Sequence, residues 1–328
     1  MSINPNAVKK FKKKLGAFLE SKRTETGDYT HLSMGGTYPN GRFNITDKKD
    51  ISKICKLISE AKKFNLKYSI LEKPKPYGPV KVDIDLEYPI NSEKNSQNSD
   101  RLYNKEMIKE TINLYKDAIN KFCDVKPGDL KCCLFEKNKP TMKNITIKDG
   151  YHIMWTSLCL HYKVRHLIRN EVVKNAEKSE TFKNFSNSIN DIFDKSVVSS
   201  NSWLMYGCAK PNGIPYELTK YYDNKNNELE ISSFGKDNKS IVKLLSLRHQ
   251  RWNDDNSNIL NSDLNEEIVE ETFEELNDKL NLKTEEYNTF GVPLDKKEII
   301  ETCRSLVNML SKKRADNYHE WIRVGWAL

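Results

Sequence analysis

No stretch of this 328-residue chain is apolar over the roughly 20 residues needed to span a bilayer, and the N-terminus lacks the apolar run of a secretory signal. Neither a membrane-embedded nor a secreted protein is expected. Seven cysteines are present, Cys55, Cys123, Cys132, Cys133, Cys159, Cys208 and Cys303, but none forms a C-x-x-C pair. That argues against a disulfide framework and against a conventional zinc site. A reducing compartment fits this usage, with Cys132 and Cys133 as small apolar fillers of a buried strand over Leu130 to Phe135. No internal repeat stands out. What is left at this length is a globular chain of about two domains.

The net charge of +8 is unevenly spread. Residues 9 to 14 read Lys-Lys-Phe-Lys-Lys-Lys, whereas Asp263 to Glu286 is dominated by Glu and Asp. Without that acidic block the remainder is clearly basic, which suits a polyanionic partner such as nucleic acid and equally suits a solubilising lysine surface.

Helical spacing of Val8, Phe11, Leu15, Phe18 and Leu19 predicts a basic amphipathic helix over 5–22. A turn at 35–41 and a short strand at 42–45 follow, then a helix over 48–65 and a strand at 68–71. Lys73 to Pro79 reads as a rigid loop, 91–100 as a polar loop, and 101–123 as a helix. Strands are expected at 131–136 and 149–156, helix over most of 163–194, and short strands at Val197-Val198 and Trp203 to Tyr206. Beyond a polar linker at 253–262 the chain reads as helical. Alternating helices and strands up to about 222 indicate an α+β or α/β domain, with a smaller helical unit at the end.

The most telling segment is Val80-Lys81-Val82-Asp83-Ile84-Asp85-Leu86-Glu87-Tyr88. Strict alternation predicts a strand with Val80, Val82, Ile84, Leu86 and Tyr88 on one face and Lys81, Asp83, Asp85 and Glu87 on the other. Carboxylates at i and i+2 stand about 7 Å apart along a strand, close enough to share hard divalent cations such as Mg²⁺ or Mn²⁺. The alternative is an edge strand with its polar face in water. A second alternating strand puts Tyr151, Ile153 and Trp155 on one face and His152 and Met154 on the other. Lys148 and His152, flanking Gly150, supply groups that phosphate oxygens accept from. Asp194 adds a third carboxylate, with Asp191 as its alternative, and Lys210 follows a strand and a small-residue turn. Three carboxylates and a phosphate-binding histidine are what two-metal nucleotidyl transfer requires.

In this order the Asp83-Ile84-Asp85, Gly150-Tyr151-His152 and Phe193-Asp194 segments resemble the three motifs of the archaeo-eukaryotic primase superfamily. The likeness is closest to primase-polymerases and the N-terminal part of giant-virus and poxvirus primase-helicases. Ala315 to Leu328 resembles the small helical module that precedes a hexameric helicase. Two departures are visible. Gly150 stands where the family usually has serine, and Asn201 to Met205 replace arginines that relatives carry before the lysine.

The resemblance implies an α+β archaeo-eukaryotic primase fold, an RRM-like antiparallel sheet with flanking helices plus an N-terminal αβ unit. It implies a catalytic domain over 1–255, an acidic helical linker over 256–295 and the start of a helical module over 296–328; the apolar ending Trp326-Ala327-Leu328 reads as a chain cut inside a helix, a fragment of something longer. It further implies a metal-dependent primase-polymerase acting on single-stranded DNA template, primer strand and NTP or dNTP. Asp83, Asp85 and Asp194 would hold two Mg²⁺ or Mn²⁺ ions, while Lys148, His152 and Lys210 would bind the nucleotide. A hexameric helicase domain in the full-length protein, no membrane partner and a viral replication site in the host cytoplasm complete the expectation. A metal-dependent nuclease and a non-catalytic DNA-binding or helicase-docking module are the rival readings.

Overall fold

Polar side chains open several of the helices. Asn4 accepts from the Asn6 amide at 2.9 Å ahead of α1 (Pro5–Glu20), where proline occupies a position whose N–H has no helical partner. A computed structural model describes residues 4–25, 28–34, 39–89, 101–143 and 146–285. After α1 come β1 (His31–Ser33), β2 (Arg42–Phe43), α2 (Lys48–Lys63), β3 (Ile70–Glu72) and β4 (Tyr77–Pro89). Then follow α3 (Lys105–Phe122), β5 (Cys132–Glu136), β6 (Thr141–Lys143), β7 (Thr146–His161) and α4 (Tyr162–Ala176). The short α5 (Ile189–Ile192) and α6 (Ser196–Ser199) precede β8 (Trp203–Leu204), β9 (Glu217–Tyr222) and β10 (Glu228–Leu229). Last are α7 (Ile231–Phe234), α8 (Asn238–Leu245) and α9 (Glu266–Glu285).

The chain divides into two units, Met1–Val269 and Glu270–Leu328. Of the second, residues 270–285 are described and are helical; the helical module expected over 296–328 lies outside the described residues, as does Cys303. The first unit is α+β, with two antiparallel sheets. One has the order β2-β1-β3-β8, and the other β10-β9-β5-β7-β4, with β6 pairing β7.

Side-chain alternation in the larger sheet divides its faces as the sequence periodicity requires. Tyr151, Ile153 and Trp155 are fully buried, and Tyr151 and Trp155 face α3, where Tyr115 stacks on Trp155 at 5.5 Å and Thr111 meets the Tyr151 hydroxyl at 2.8 Å. Met154 instead joins Phe135, Cys133, Leu218 and Leu245 in a second core on the opposite face. A third cluster, built on Leu15, Leu19, Ile54 and Leu57, joins α1 and α2 to Met205 and Cys208 just beyond β8. Each of those leucines would cost about 2–5 kcal/mol as alanine.

Several elements differ from expectation for identifiable reasons. α4 ends at Ala176 rather than near 194, because the next stretch is rich in Ser and Asn whose side chains bond local backbone, as Ser179 and Ser188 do. Val197-Val198 lie in the helical turn α6 and not in a strand: Asp194 accepts from the Ser196 amide at 2.8 Å and turns the chain there. β4 begins inside the expected proline loop, with a register shift between Gly78 and Val80. The helix expected from 101 starts at Lys105, where Asn104 accepts from the Met107 amide at 2.9 Å.

β4 ends the larger sheet, so one side of its backbone lacks a strand partner. The irregular segment 186–194 supplies it. Asn187 accepts from the Glu87 amide at 3.1 Å and donates to the Asp85 carbonyl at 2.7 Å, Phe193 bridges Ile84, and the Asp194 amide donates to the Asp83 carbonyl at 3.2 Å. The edge is thereby covered.

Candidate active site

Strand register sets the site. Asp83 pairs with His152, and Asp85 with Gly150, across β4 and β7. Segment 186–194 then brings Asp194 alongside, and Arg169 on α4 fixes it from behind. The buried Arg169 guanidinium donates to the Phe193 carbonyl through Nε at 2.9 Å and to Asn190 Oδ1 at 2.8 Å. As a result Asp83, Asp85 and Asp194 each contribute a carboxylate oxygen to one group, all within 4.8 Å of one another. Asp191 is outside this group: it accepts from Ser188 Oγ at 2.6 Å and lines a neighbouring cavity with Asp85 and Asp194.

The polar face of β4 is only partly in water: Lys81 is buried, Asp83 and Glu87 are half-buried and Asp85 is exposed. Lys81 is only 4 % exposed, with its ammonium 5.4 Å over the Trp203 ring. The Asp83 side chain is 18 % exposed, and its buried Oδ1 faces His152 Nε2 at 3.1 Å. Burial alone would raise the Asp83 pKa, but the charge and hydrogen bond of His152, then the fields of Lys210 and Lys137, hold it below the usual carboxylate range. Asp85 goes the other way: burial, reinforced by the Asp83 charge, pushes its pKa up to about 6. Three carboxylates with one oxygen each in a single group have the donor set of a hard divalent cation.

A cavity of about 790 Å³ opens on this group, lined by Asp83, Asp85 and Asp194 together with His152, Lys137 and Lys210. Trp203 and Tyr216 form part of its wall. The His152 imidazole stacks on Tyr216 with centroids 3.6 Å apart and meets Trp203 at 4.5 Å. A second, more polar cavity of about 600 Å³ shares Asp85 and Asp194 and adds Glu87, Asn187 and Lys195. Asp85 and Asp194 therefore stand between two openings.

Residues 30–222 match the family model described as the C962R protein N-terminal AEP domain. The chain belongs to this family of archaeo-eukaryotic primases. All three clustered carboxylates of the primase domain lie inside the matched stretch. Three viral proteins with helicase names are similar. L207/L206 of Acanthamoeba polyphaga mimivirus is 25% identical over 96% of this chain and 35% of its own length. Protein 184R of Invertebrate iridescent virus 6 is 30% identical over 63% of this chain and 23% of its own. Protein 121R of Invertebrate iridescent virus 3 is 26% identical over 62% and 22%. The chain thus spans about a third or less of the relatives it matches.

Within the primase domain the structure gathers five of the six residues singled out in the sequence: Asp83, Asp85, Asp194, His152 and Lys210. Lys148 is elsewhere. It is ion-paired with Glu87, its cross-strand neighbour, and does not line the larger cavity. Gly150 is required by packing, since a Cβ there would lie 1.9 Å from the Ile84 carbonyl oxygen. A serine hydroxyl could not be placed at that position without moving β4. Sequence reasoning missed Lys137, Tyr216, Trp203 and Arg169. A signal existed only for Lys137: it lies two residues beyond Phe135, which pairs with His152, and so shares that face.

Proposed function

We propose that this domain catalyses template-directed nucleotidyl transfer, making or extending primers on single-stranded DNA. The observation that supports it is the three-carboxylate group, set where two cavities meet. In this reading a 3′-hydroxyl attacks the α-phosphorus of the incoming nucleotide, and pyrophosphate leaves as the α–β bridging bond breaks. Asp83, Asp85 and Asp194 would hold divalent ions, Mg²⁺ or Mn²⁺, which when bound acidify the hydroxyl and offset charge on the leaving phosphates.

The larger cavity, with His152 and Lys210 facing the carboxylates, takes the triphosphate; its volume is in the range of small-molecule sites. The smaller one admits the hydroxyl-bearing strand beside Asp85 and Asp194, where Asn187 and Lys195 offer groups to its backbone. Because Asp83 is tied to His152 by charge and to Asp194 by backbone, the groups that bind nucleotide and metal are preorganised together. Helicase names among the relatives support a further proposal, that the domain serves a helicase region of the same protein; a hexameric form of that region and a viral replication site in the host cytoplasm are proposed with it on the family resemblance alone.

Primer extension on a single-stranded template, with Mg²⁺ or Mn²⁺ and each nucleotide pool supplied separately, tests the proposal. Labelled product should lengthen, and Asp83→Ala should abolish that synthesis. Wild-type synthesis by Asp83→Ala would refute the metal assignment, and shortening of the label would instead identify a nuclease.

A further inference from the structure

Two ammonium groups face the carboxylates across the larger cavity, on Lys137 and Lys210, and among the described residues no carboxylate forms an ion pair with either. Lys137 is partly buried at the end of β5, and burial, then the charge of Lys210, lowers its pKa. A half-buried cation near a second, exposed one, attracted by Asp83 and Asp85 but ion-paired with neither, is free to take a polyanion that enters the cavity. Lys137 is also fixed in place: its ammonium lies 4.5 Å from the centroid of Tyr216, the same ring on which His152 stacks at 3.6 Å. One aromatic ring thus sets both a cation and the imidazole that contacts Asp83. Lys148, in contrast, is committed to Glu87.

Resting on the nucleotidyl-transfer reading above, we infer that Lys137, and not Lys148, is the partner of Lys210 in binding the triphosphate. Tyr216 is the positioning residue that carries Lys137 and His152 at a fixed spacing. The ligand chemistry is a chain of phosphates, and the nucleoside contributes nothing to this contact. A planar ring suffices for the support, so the Tyr216 hydroxyl is dispensable while the ring is not.

The test is equilibrium binding of a nucleoside triphosphate to the whole chain in Ca²⁺, which permits binding while disfavouring turnover, with inorganic tripolyphosphate as competitor. Lys137→Ala should weaken nucleotide and tripolyphosphate binding alike by about tenfold or more, as loss of a charge-assisted contact does. Lys137→Arg should recover most of it. Tyr216→Leu should weaken both ligands, Tyr216→Phe neither, and Lys148→Ala neither. Unchanged melting curves for the Lys137 variants separate this from misfolding. In extension assays Lys137→Ala should raise KM for nucleotide more than it lowers kcat.

Wild-type affinity in Lys137→Ala, or a loss in Lys148→Ala instead, would overturn the assignment while leaving the functional reading intact. Failure of the folded wild-type chain to bind any nucleoside triphosphate would remove both.

Discussion

The Asp194 amide donates to the Asp83 carbonyl at 3.2 Å, so the third carboxylate of the site is tied by main chain to the strand that carries the other two. The neighbouring Phe193–Ile84 bridge and the Arg169 contacts to Phe193 and Asn190 hold this junction in place.

That junction predicts the behaviour of Arg169→Lys. A lysine keeps the charge but has one ammonium and no planar fork, so it cannot reach the Phe193 carbonyl and Asn190 together. Mn²⁺ affinity, read by electron paramagnetic resonance, should fall by about tenfold or more, as when other supports of a metal site are removed. Unchanged affinity would mean that the β4 bridge alone positions Asp194.

Asp85 gives a pH prediction. Its carboxyl holds a proton up to about pH 6 when folded and releases it near 3.8 when unfolded. The folded state therefore binds more protons between those values, and metal-free stability falls as pH rises through that window. Above it, ionised Asp85 is a constant destabilising charge. Asp85→Asn should melt higher than wild type at pH 7.5 without metal, by roughly 2–4 °C once solvent screening of this exposed carboxylate is allowed for. The difference should vanish near pH 4, and saturating Mn²⁺ should stabilise wild type more than the variant.

Gly150→Ser is expected to lose stability without gaining nucleotide affinity. Its Cβ would collide with the Ile84 carbonyl, and overpacking of this kind costs about 1–3 kcal/mol, measurable by urea denaturation. A serine variant that folds normally and binds nucleotide more tightly would contradict the close approach of β4 and β7.

His152→Ala removes the group that faces Asp83 and stacks on Tyr216. Single-turnover extension should slow by about 10² or more, the usual loss for one preorganised electrostatic contact. Affinity for single-stranded DNA without nucleotide, measured by anisotropy, should not change.

Legibility from sequence followed regularity of the backbone. The alternation of Val80 to Tyr88 and of Tyr151 to Trp155 fixed both faces of the central strands, because a period of two leaves one assignment of sides. Apolar spacing located α1, α2 and most of α3, while the Asn104 cap that sets the start of α3 was not read. What stayed hidden depended on long-range packing. Segment 186–194 has no periodicity of its own, and its conformation comes from β4, about 100 residues earlier. Lys148 looked like a phosphate ligand from its spacing to His152, but the register with β4 sets Glu87 opposite it. Tyr216 and Trp203 carried no local signal, since what matters is a ring contact that exists only once β8 and β7 are together.

The covering of β4 by residues 186–194 makes quality control intrinsic to this domain. A molecule in which that segment has not docked lacks Asp194 at the site and at the same time presents bare strand edge to its neighbours. Molecules that lack the assembled carboxylate group are thus also the ones with an open strand edge, whereas any molecule able to assemble the three carboxylates has already closed it.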